Sequence, residues 1–260
     1  MRRSLVAVVL VAILPAACAP AASPVADPPA SRSQQPEGTP EAAPAASHTT
    51  TPESTAEPDP PPPEPSRFSG TIHRIHAPIR ERLIGRDWHM GCPVPLEDLR
   101  VVTVSCLGFD GEVKSGPLVL HERVAEDVLW VFRRLFRHRF AIKHIALAAK
   151  YHPPTPLDYE RHRDVTASFN CRPVTDIPGS LSQHSYGWAI DINPLQNPYV
   201  RSDGSVLRRP AKAYIDRSQD LPGMIHPGDI VVRSFARIGW EWGGNFTSIK
   251  DYMHFSLTGR

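Results

Sequence analysis

The sequence predicts an α+β fold, a small mainly antiparallel sheet flanked by helices, and three observations predict it. Two apolar runs of strand character, Leu99-Arg100-Val101-Val102-Thr103-Val104-Ser105-Cys106 and Pro117-Leu118-Val119-Leu120, surround the turn-rich Gly108-Phe109-Asp110-Gly111. Two segments of helical periodicity follow, bounded by cap and stop residues. Short alternating stretches then carry a cluster of histidine and aspartate near the C-terminal end. All of this lies in residues 67–260, about enough chain for one ordinary domain with its own core, and no internal repeat or second linker interrupts it.

The N-terminal elements differ in kind. Met1-Arg2-Arg3 is a basic start, Leu5 to Leu14 is an apolar run of ten residues, and Pro15-Ala16-Ala17 supplies a break and small residues. Ten residues are too few to span a bilayer as a helix, so residues 1–18 read as a signal peptide. Cys18 after Ala16-Ala17 has the position of a lipoprotein acceptor cysteine, although Pro15 stands where such a site usually has leucine, and simple secretion is the alternative. Residues 19–66 contain 14 prolines, no aromatic residue, and Val25 as the one sizeable aliphatic side chain. Such a segment cannot bury a core and is expected to be a disordered tether with polyproline stretches. These features place the folded part outside the cytoplasm, in the bacterial cell envelope, anchored to the membrane by lipid or secreted.

Charge divides by region. Residues 1–18 carry +2, residues 19–66 carry one Arg against seven acids for −6, and residues 67–260 carry 26 Lys plus Arg against 20 acids for +6, which sums to the overall +2. A mildly basic domain favours approach to an anionic polymer. Nucleic acid is not expected, because no basic helix, aromatic nucleic-acid motif or cysteine-rich finger accompanies the charge.

Within the domain, Glu122 to Arg137 is expected to be a helix, since Val124, Val128, Val131 and Leu135 recur at helical spacing while Arg133, Arg134 and Arg137 crowd another side. Phe140 to Ile145 reads as a strand. Asp229 to Ile238 reads as a second helix, with Asp229 as cap and Gly239 as stop. Gly187 to Asn193 alternates like a strand, which sets Asp191 on one face and Ile190 and Ile192 on the other; Gly187 and Ala189 would keep bulk away from whatever Asp191 binds.

The chemistry-bearing residues are in Ser182-Gln183-His184-Ser185-Tyr186-Gly187-Trp188-Ala189-Ile190-Asp191 and in Asp251-Tyr252-Met253-His254. His184, Asp191 and His254 make a three-ligand set for zinc that leaves the fourth tetrahedral position open, the pattern of a catalytic rather than a closed structural site. Asp251, three residues before the last ligand, is placed to accept a proton from a bound water. Glu241, between Trp240 and Trp242, is the rival base.

The pattern Ser-x-His-x-x-Gly-x-Ala-x-Asp, met by Ser182, His184, Gly187, Ala189 and Asp191, with acid-x-x-His at Asp251 and His254, resembles the zinc D-alanyl-D-alanine carboxypeptidase family. That family includes vancomycin-resistance carboxypeptidases and phage endolysins and shares its metal-site layout with hedgehog domains. The resemblance extends over roughly Pro93 to Leu257, with Phe169-Asn170-Cys171-Arg172 and Gly239-Trp240-Glu241-Trp242-Gly243-Gly244 as further matches. It implies Zn2+ held by His184, Asp191 and His254, Asp251 as general base although many relatives have Glu there, and Arg172 on the substrate carbonyl or carboxylate. The implied substrate is a peptidoglycan stem peptide, cut most naturally at D-Ala-D-Ala. An L-Ala-D-Glu endopeptidase, a peptidase acting on an envelope protein, and a non-catalytic zinc-stabilised wall-binding module are the alternatives.

Ser182 is expected to support the loop by hydrogen bonds or to border the substrate, and Trp242, beside Gly243-Gly244, to offer a substrate platform or to join the core. With Cys18 removed or lipidated, Cys92, Cys106 and Cys171 leave one pair and one free thiol; Cys171 paired with either partner would steady Arg172. His48, His121, His138, His144, His152, His162 and His226 lack ligand-like spacing and are expected to be surface or packing residues.

Overall fold

The computed structural model describes residues 67–148 and 164–259. The expected signal peptide, Cys18, the tether, His48, His152 and His162 lie outside the described residues. β1 (Gly70–Arg74), β2 (Leu99–Leu107) and β3 (Val113–His121) form an antiparallel sheet in that order. The β2–β3 pairing runs from Leu99 opposite His121 to Leu107 opposite Val113, so the predicted turn closes a long hairpin. Gly111 sits there at φ 81°, in the left-handed region that glycine enters without a Cβ clash.

Strand alternation sorts the apolar side chains into two layers. Val102, Val104, Leu118 and Leu120 face α2 (Glu122–Arg137), whose buried stripe contains Val124, Val128, Val131 and Leu135 with Phe132. On the other face Leu99, Val101 and Val119 meet Ile79 and Leu83 of α1 (Ala77–Leu83), together with Phe169. α2 starts where β3 ends, with the His121 ring accepting from the Arg123 N–H at 3.2 Å. It closes with Arg134 and Arg137 in its last turn, where cations complement the negative end of the helix dipole.

A second antiparallel sheet, of order β6-β10-β8, is built from β6 (Ala189–Asp191), β8 (Glu241–Trp242) and β10 (His254–Ser256). Ile190, Trp242 and Phe255 from it join α2 in one core, as does Phe235 of α3 (Ile230–Arg237). Phe235 stacks on Phe255 at 4.3 Å between ring centres. The Asp229 carboxylate caps α3 by accepting from the Val231 and Val232 N–H groups at 2.9 and 3.0 Å, and Gly239 at φ 79° follows its end, as the sequence predicts. Two small ribbons complete the described structure: β4 (Pro173–Val174) with β5 (Ile177–Leu181), and β7 (Tyr199–Val200) with β9 (Lys250–Asp251). The fold is therefore α+β, with short antiparallel sheets and few helices.

Several expectations need correction. Phe140 to Ile145 forms no strand: it makes single bridges at Leu107–Ala141 and Ile145–Thr166, and the Lys143 N–H is taken by the Asn193 side chain at 2.9 Å instead of by a ladder. The strand expected over Gly187 to Asn193 shrinks to β6, because Gly187 at φ 70° and Asn193 at φ 47° are both left-handed and end the extended run. Gly187 does not spare room for a ligand; a Cβ there would stand 2.6 Å from the His121 nitrogen, so its role is close packing on the β3–α2 junction.

Cys92 and Cys171 form a disulfide across a separation of 79 residues, and Cys106 is the buried free thiol, its pKa pushed up to about 11 by burial. By loop-closure entropy, a loop that long makes the bridge a constraint on the unfolded chain of about 4–5 kcal/mol. No helix among the described residues is long and apolar enough to cross a membrane.

Candidate active site

Three different local structures bring His184, Asp191 and His254 together. Ser182 caps a 3-10 helix, Gln183–Tyr186, by accepting from the His184 N–H at 3.3 Å, and left-handed Gly187 closes it. Asp191 ends β6, and in the β6–β10 register it stands directly opposite His254. Their ligand atoms, with that of His184, lie within 4.8 Å of one another. The Asp191 Oδ1 oxygen receives both rings, His184 Nε2 at 3.2 Å and His254 Nδ1 at 3.1 Å.

His184 is oriented from behind. Its Nδ1 faces the Ser168 carbonyl at 2.5 Å, which places a proton on Nδ1 and turns Nε2 toward Asp191. Ser168 is in turn clamped to β3, its hydroxyl donating to the Val119 carbonyl at 2.7 Å and accepting the Val119 N–H at 2.8 Å. Ala167 and Asp191 exchange backbone hydrogen bonds at 3.1 and 2.9 Å, so the same segment fixes the carboxylate strand. Nothing in the sequence around Ser168 signals this role; its only hint is adjacency to Phe169-Asn170-Cys171-Arg172.

Two carboxyl groups with opposite tendencies share the site. Burial would raise the pKa of Asp191, but the charges and hydrogen bonds of His184 and His254 outweigh it and hold the group well below the usual carboxylate range. Asp251 goes the other way. Burial lifts it to about 7, the charge of Asp191 adds to the rise, and His254, Arg172 and Arg208 oppose it. Its Oδ1 is buried with no hydrogen-bond partner among the described residues, a costly state unless another group meets it. Gly243 permits this placement, since a Cβ there would lie 2.5 Å from the Asp251 carbonyl oxygen. Asp251 pairs with Tyr199 across β7 and β9, and Arg217 lies over the neighbouring Tyr252 ring at 4.5 Å.

Arg172 is tied to the ligand-bearing turn through its backbone: its N–H donates to Ser185 Oγ at 3.0 Å and its carbonyl accepts from the Ser182 N–H at 3.0 Å. The disulfide at Cys171 fixes the preceding residue. The guanidinium is half-buried, donating to the Pro173 carbonyl at 3.1 Å and to Thr175 Oγ1 at 3.3 Å, and its charge reaches Asp251. Arg208, which the sequence reading passed over, also reaches Asp251. Ser182 is buried and serves as the cap of the 3-10 helix. Trp242 belongs to the core: it is 3% exposed, donates its indole N–H to the Tyr252 carbonyl at 2.8 Å, and so presents no platform. Glu241 is exposed on β8, with its carboxylate against Gly259.

Two imidazole nitrogens and a carboxylate oxygen converging on one point are a donor set suited to a single metal ion, and the nearby Asp251 carboxyl, its buried Oδ1 unpartnered among the described residues, suits an acid or base working next to that ion. The fold thus brings a candidate metal-binding group and a buried carboxyl into one site. Residues 176–257 match the family model for D-alanyl-D-alanine carboxypeptidase, and over this segment the chain is similar to that peptidase family. The match takes in Ser182, His184, Asp191, Asp251 and His254 and begins after Arg172, a shorter reach than the Pro93 to Leu257 expected from sequence. No curated protein and no solved structure matches the chain.

Proposed function

We propose that this chain is a zinc metallopeptidase that hydrolyses an amide bond of peptidoglycan stem peptides, the terminal D-Ala-D-Ala bond being the favoured one. The observation that carries the reading is the His184, Asp191 and His254 group with the buried Asp251 carboxyl beside it, whose Oδ1 has no hydrogen-bond partner among the described residues. His184, Asp191 and His254 would hold the ion, and zinc when bound supplies a water of lowered pKa and polarises the scissile carbonyl. Asp251, with a pKa near neutrality, is suited to take a proton from the attacking water and return it to the leaving amine. Arg172 supplies a planar cation for the terminal carboxylate or the developing oxyanion. Ser168 keeps His184 in the tautomer a ligand needs. Ser182 has no base and orienter beside it and serves as the cap of the His184 turn, not as a nucleophile.

The domain would work outside the cytoplasm, with Cys18 as the site of a lipid anchor and residues 19–66 as the tether that lets it reach the wall. Purified protein incubated with defined muropeptides, with and without a chelator, tests the whole reading. Release of D-alanine that stops on chelation and returns with Zn2+ is the expected result, and Ala in place of His184, Asp191 or His254 abolishes both bound zinc and release. A chelator-sensitive internal cut replaces it with endopeptidase action; full zinc occupancy in all three Ala variants removes the ligand assignment.

A further inference from the structure

A second concave feature lies where the start of β1, the end of β2 and the C-terminal end of α2 meet, and it shares no residue with the metal-ligand group. This cleft, of about 830 Å³, is lined by Arg67, Arg133, Arg137 and Arg139 together with the rings of Phe68 and Phe136. None of the four guanidiniums makes an ion pair among the described residues. Four like charges around one hollow repel one another, and a counter-charge from outside the chain relieves that repulsion.

The helix dipole accounts for Arg137, which sits in the last turn of α2, but not for the other three. Arg133 is held in place by aromatic contact: its guanidinium lies 5.6 Å over the Phe68 ring, and Phe68 meets Phe136 edge-on at 5.7 Å. Arg139 is the more telling residue. It follows the helix at φ 56°, with the Phe140 N–H returning to the Leu135 carbonyl at 3.0 Å, the closing turn at which glycine is the inexpensive choice. A bulky residue kept in the left-handed region implies that its side chain serves a purpose there.

We propose that this cleft binds an anionic phosphodiester polymer, a linear polyol or sugar phosphate of the cell wall, and so holds the domain against its insoluble substrate. Arg133 and Arg137 are one helical turn apart, roughly 5–6 Å between Cβ atoms, a spacing that successive phosphates on a flexible chain can bridge. Guanidinium forks take phosphate oxygens in pairs, and the two phenylalanine rings offer an apolar wall to the carbon backbone between phosphates. The inference goes beyond the peptidase reading, and no step of it uses the metal ligands.

The test measures binding of the full chain to soluble poly(glycerol phosphate), to poly-glutamate of equal length, and to anionic phospholipid vesicles, over a range of salt. Wild type is expected to prefer the phosphodiester polymer, and the double change R133E/R137E to weaken that binding about tenfold or more while lowering the log–log salt slope by about 2. Arg139→Gly is expected to weaken binding and yet raise Tm by about 2 °C, because it relieves the left-handed backbone. Hydrolysis of a short soluble muropeptide should be unchanged in these variants, so failure of the peptidase reading and failure of this one are separate results. Equal binding to poly-glutamate, a preference for vesicles, or full polymer binding by R133E/R137E and Arg139→Gly overturns the proposal.

Discussion

The β1–β3 sheet with α2 and the region that carries the site are stabilised in different ways. In the first, strands of nine residues and a sixteen-residue helix bury aliphatic side chains in alternating and helical registers, and the backbone satisfies itself. In the second, the strands are two or three residues long and side chains satisfy the backbone instead. Asn197 is the clearest case: its Nδ2 donates to the Ile192 and Gly223 carbonyls at 3.1 and 2.9 Å, and its Oδ1 accepts the Ile225 N–H at 2.8 Å. Arg217 adds hydrogen bonds to the Gln196 and Ile225 carbonyls, each at 2.7 Å. Regular secondary structure supplies a rigid floor, and the less regular chain brings the three candidate ligand side chains together.

The two modes predict different responses to mutation. Phe132→Ala removes a fully buried ring from the core shared by both regions and should cost about 3–5 kcal/mol, read as a large loss of Tm with metal affinity of the remaining folded protein unchanged. Asn197→Ala strands several backbone groups at once and should cost about 2–3 kcal/mol. Its distinguishing effect is on metal affinity, which should fall by about tenfold or more because the chain following Asp191 loses its anchor; equal metal affinity in both variants would erase the distinction drawn between the regions.

A smaller effect concerns pH in protein stripped of metal by a chelator. The Asp251 carboxyl has a folded-state pKa of about 7 against an ordinary value of 3.8, so folding favours its protonated form. Its favourable contribution is fully present below the ordinary value and is lost as pH rises through 7. Denaturant titrations from pH 4 to 8 should therefore show a decline that Asp251→Asn flattens, leaving the variant more stable than wild type at pH 8. A parallel decline in both proteins would assign it to other groups.

How much of this was legible in the sequence follows the same division. The β2–β3 hairpin, α2 over Glu122 to Arg137, and α3 with its Asp229 cap all announce themselves through periodicity and end signals, because solvent and core impose those patterns. β1, with Ile72 as its one aliphatic side chain, is an edge strand recognisable only from its pairing with β2. The strand expected at Phe140 to Ile145 failed because Asn193, fifty residues on, competes for its backbone. That His184, Asp191 and His254 come together could be anticipated because the chemistry of a metal site restricts residue type and spacing. Ser168 and Arg208 could not, since hydrogen bonding through a carbonyl and long-range charge leave no mark on local sequence. Trp242 shows the limit from the other direction: a tryptophan beside two glycines suits a surface platform and a packed core equally until its neighbours are known.

The central claim is that Asp251 moves the proton at a metal held by His184, Asp191 and His254. It is tested most directly by measuring bound zinc and D-alanine release in Asp251→Asn beside Glu241→Gln. The account predicts that Asp251→Asn keeps its fold and one zinc per chain while turnover falls by about 10²–10⁴-fold, and that Glu241→Gln turns over like wild type. Wild-type turnover by zinc-loaded Asp251→Asn, with Glu241→Gln inactive, would contradict it.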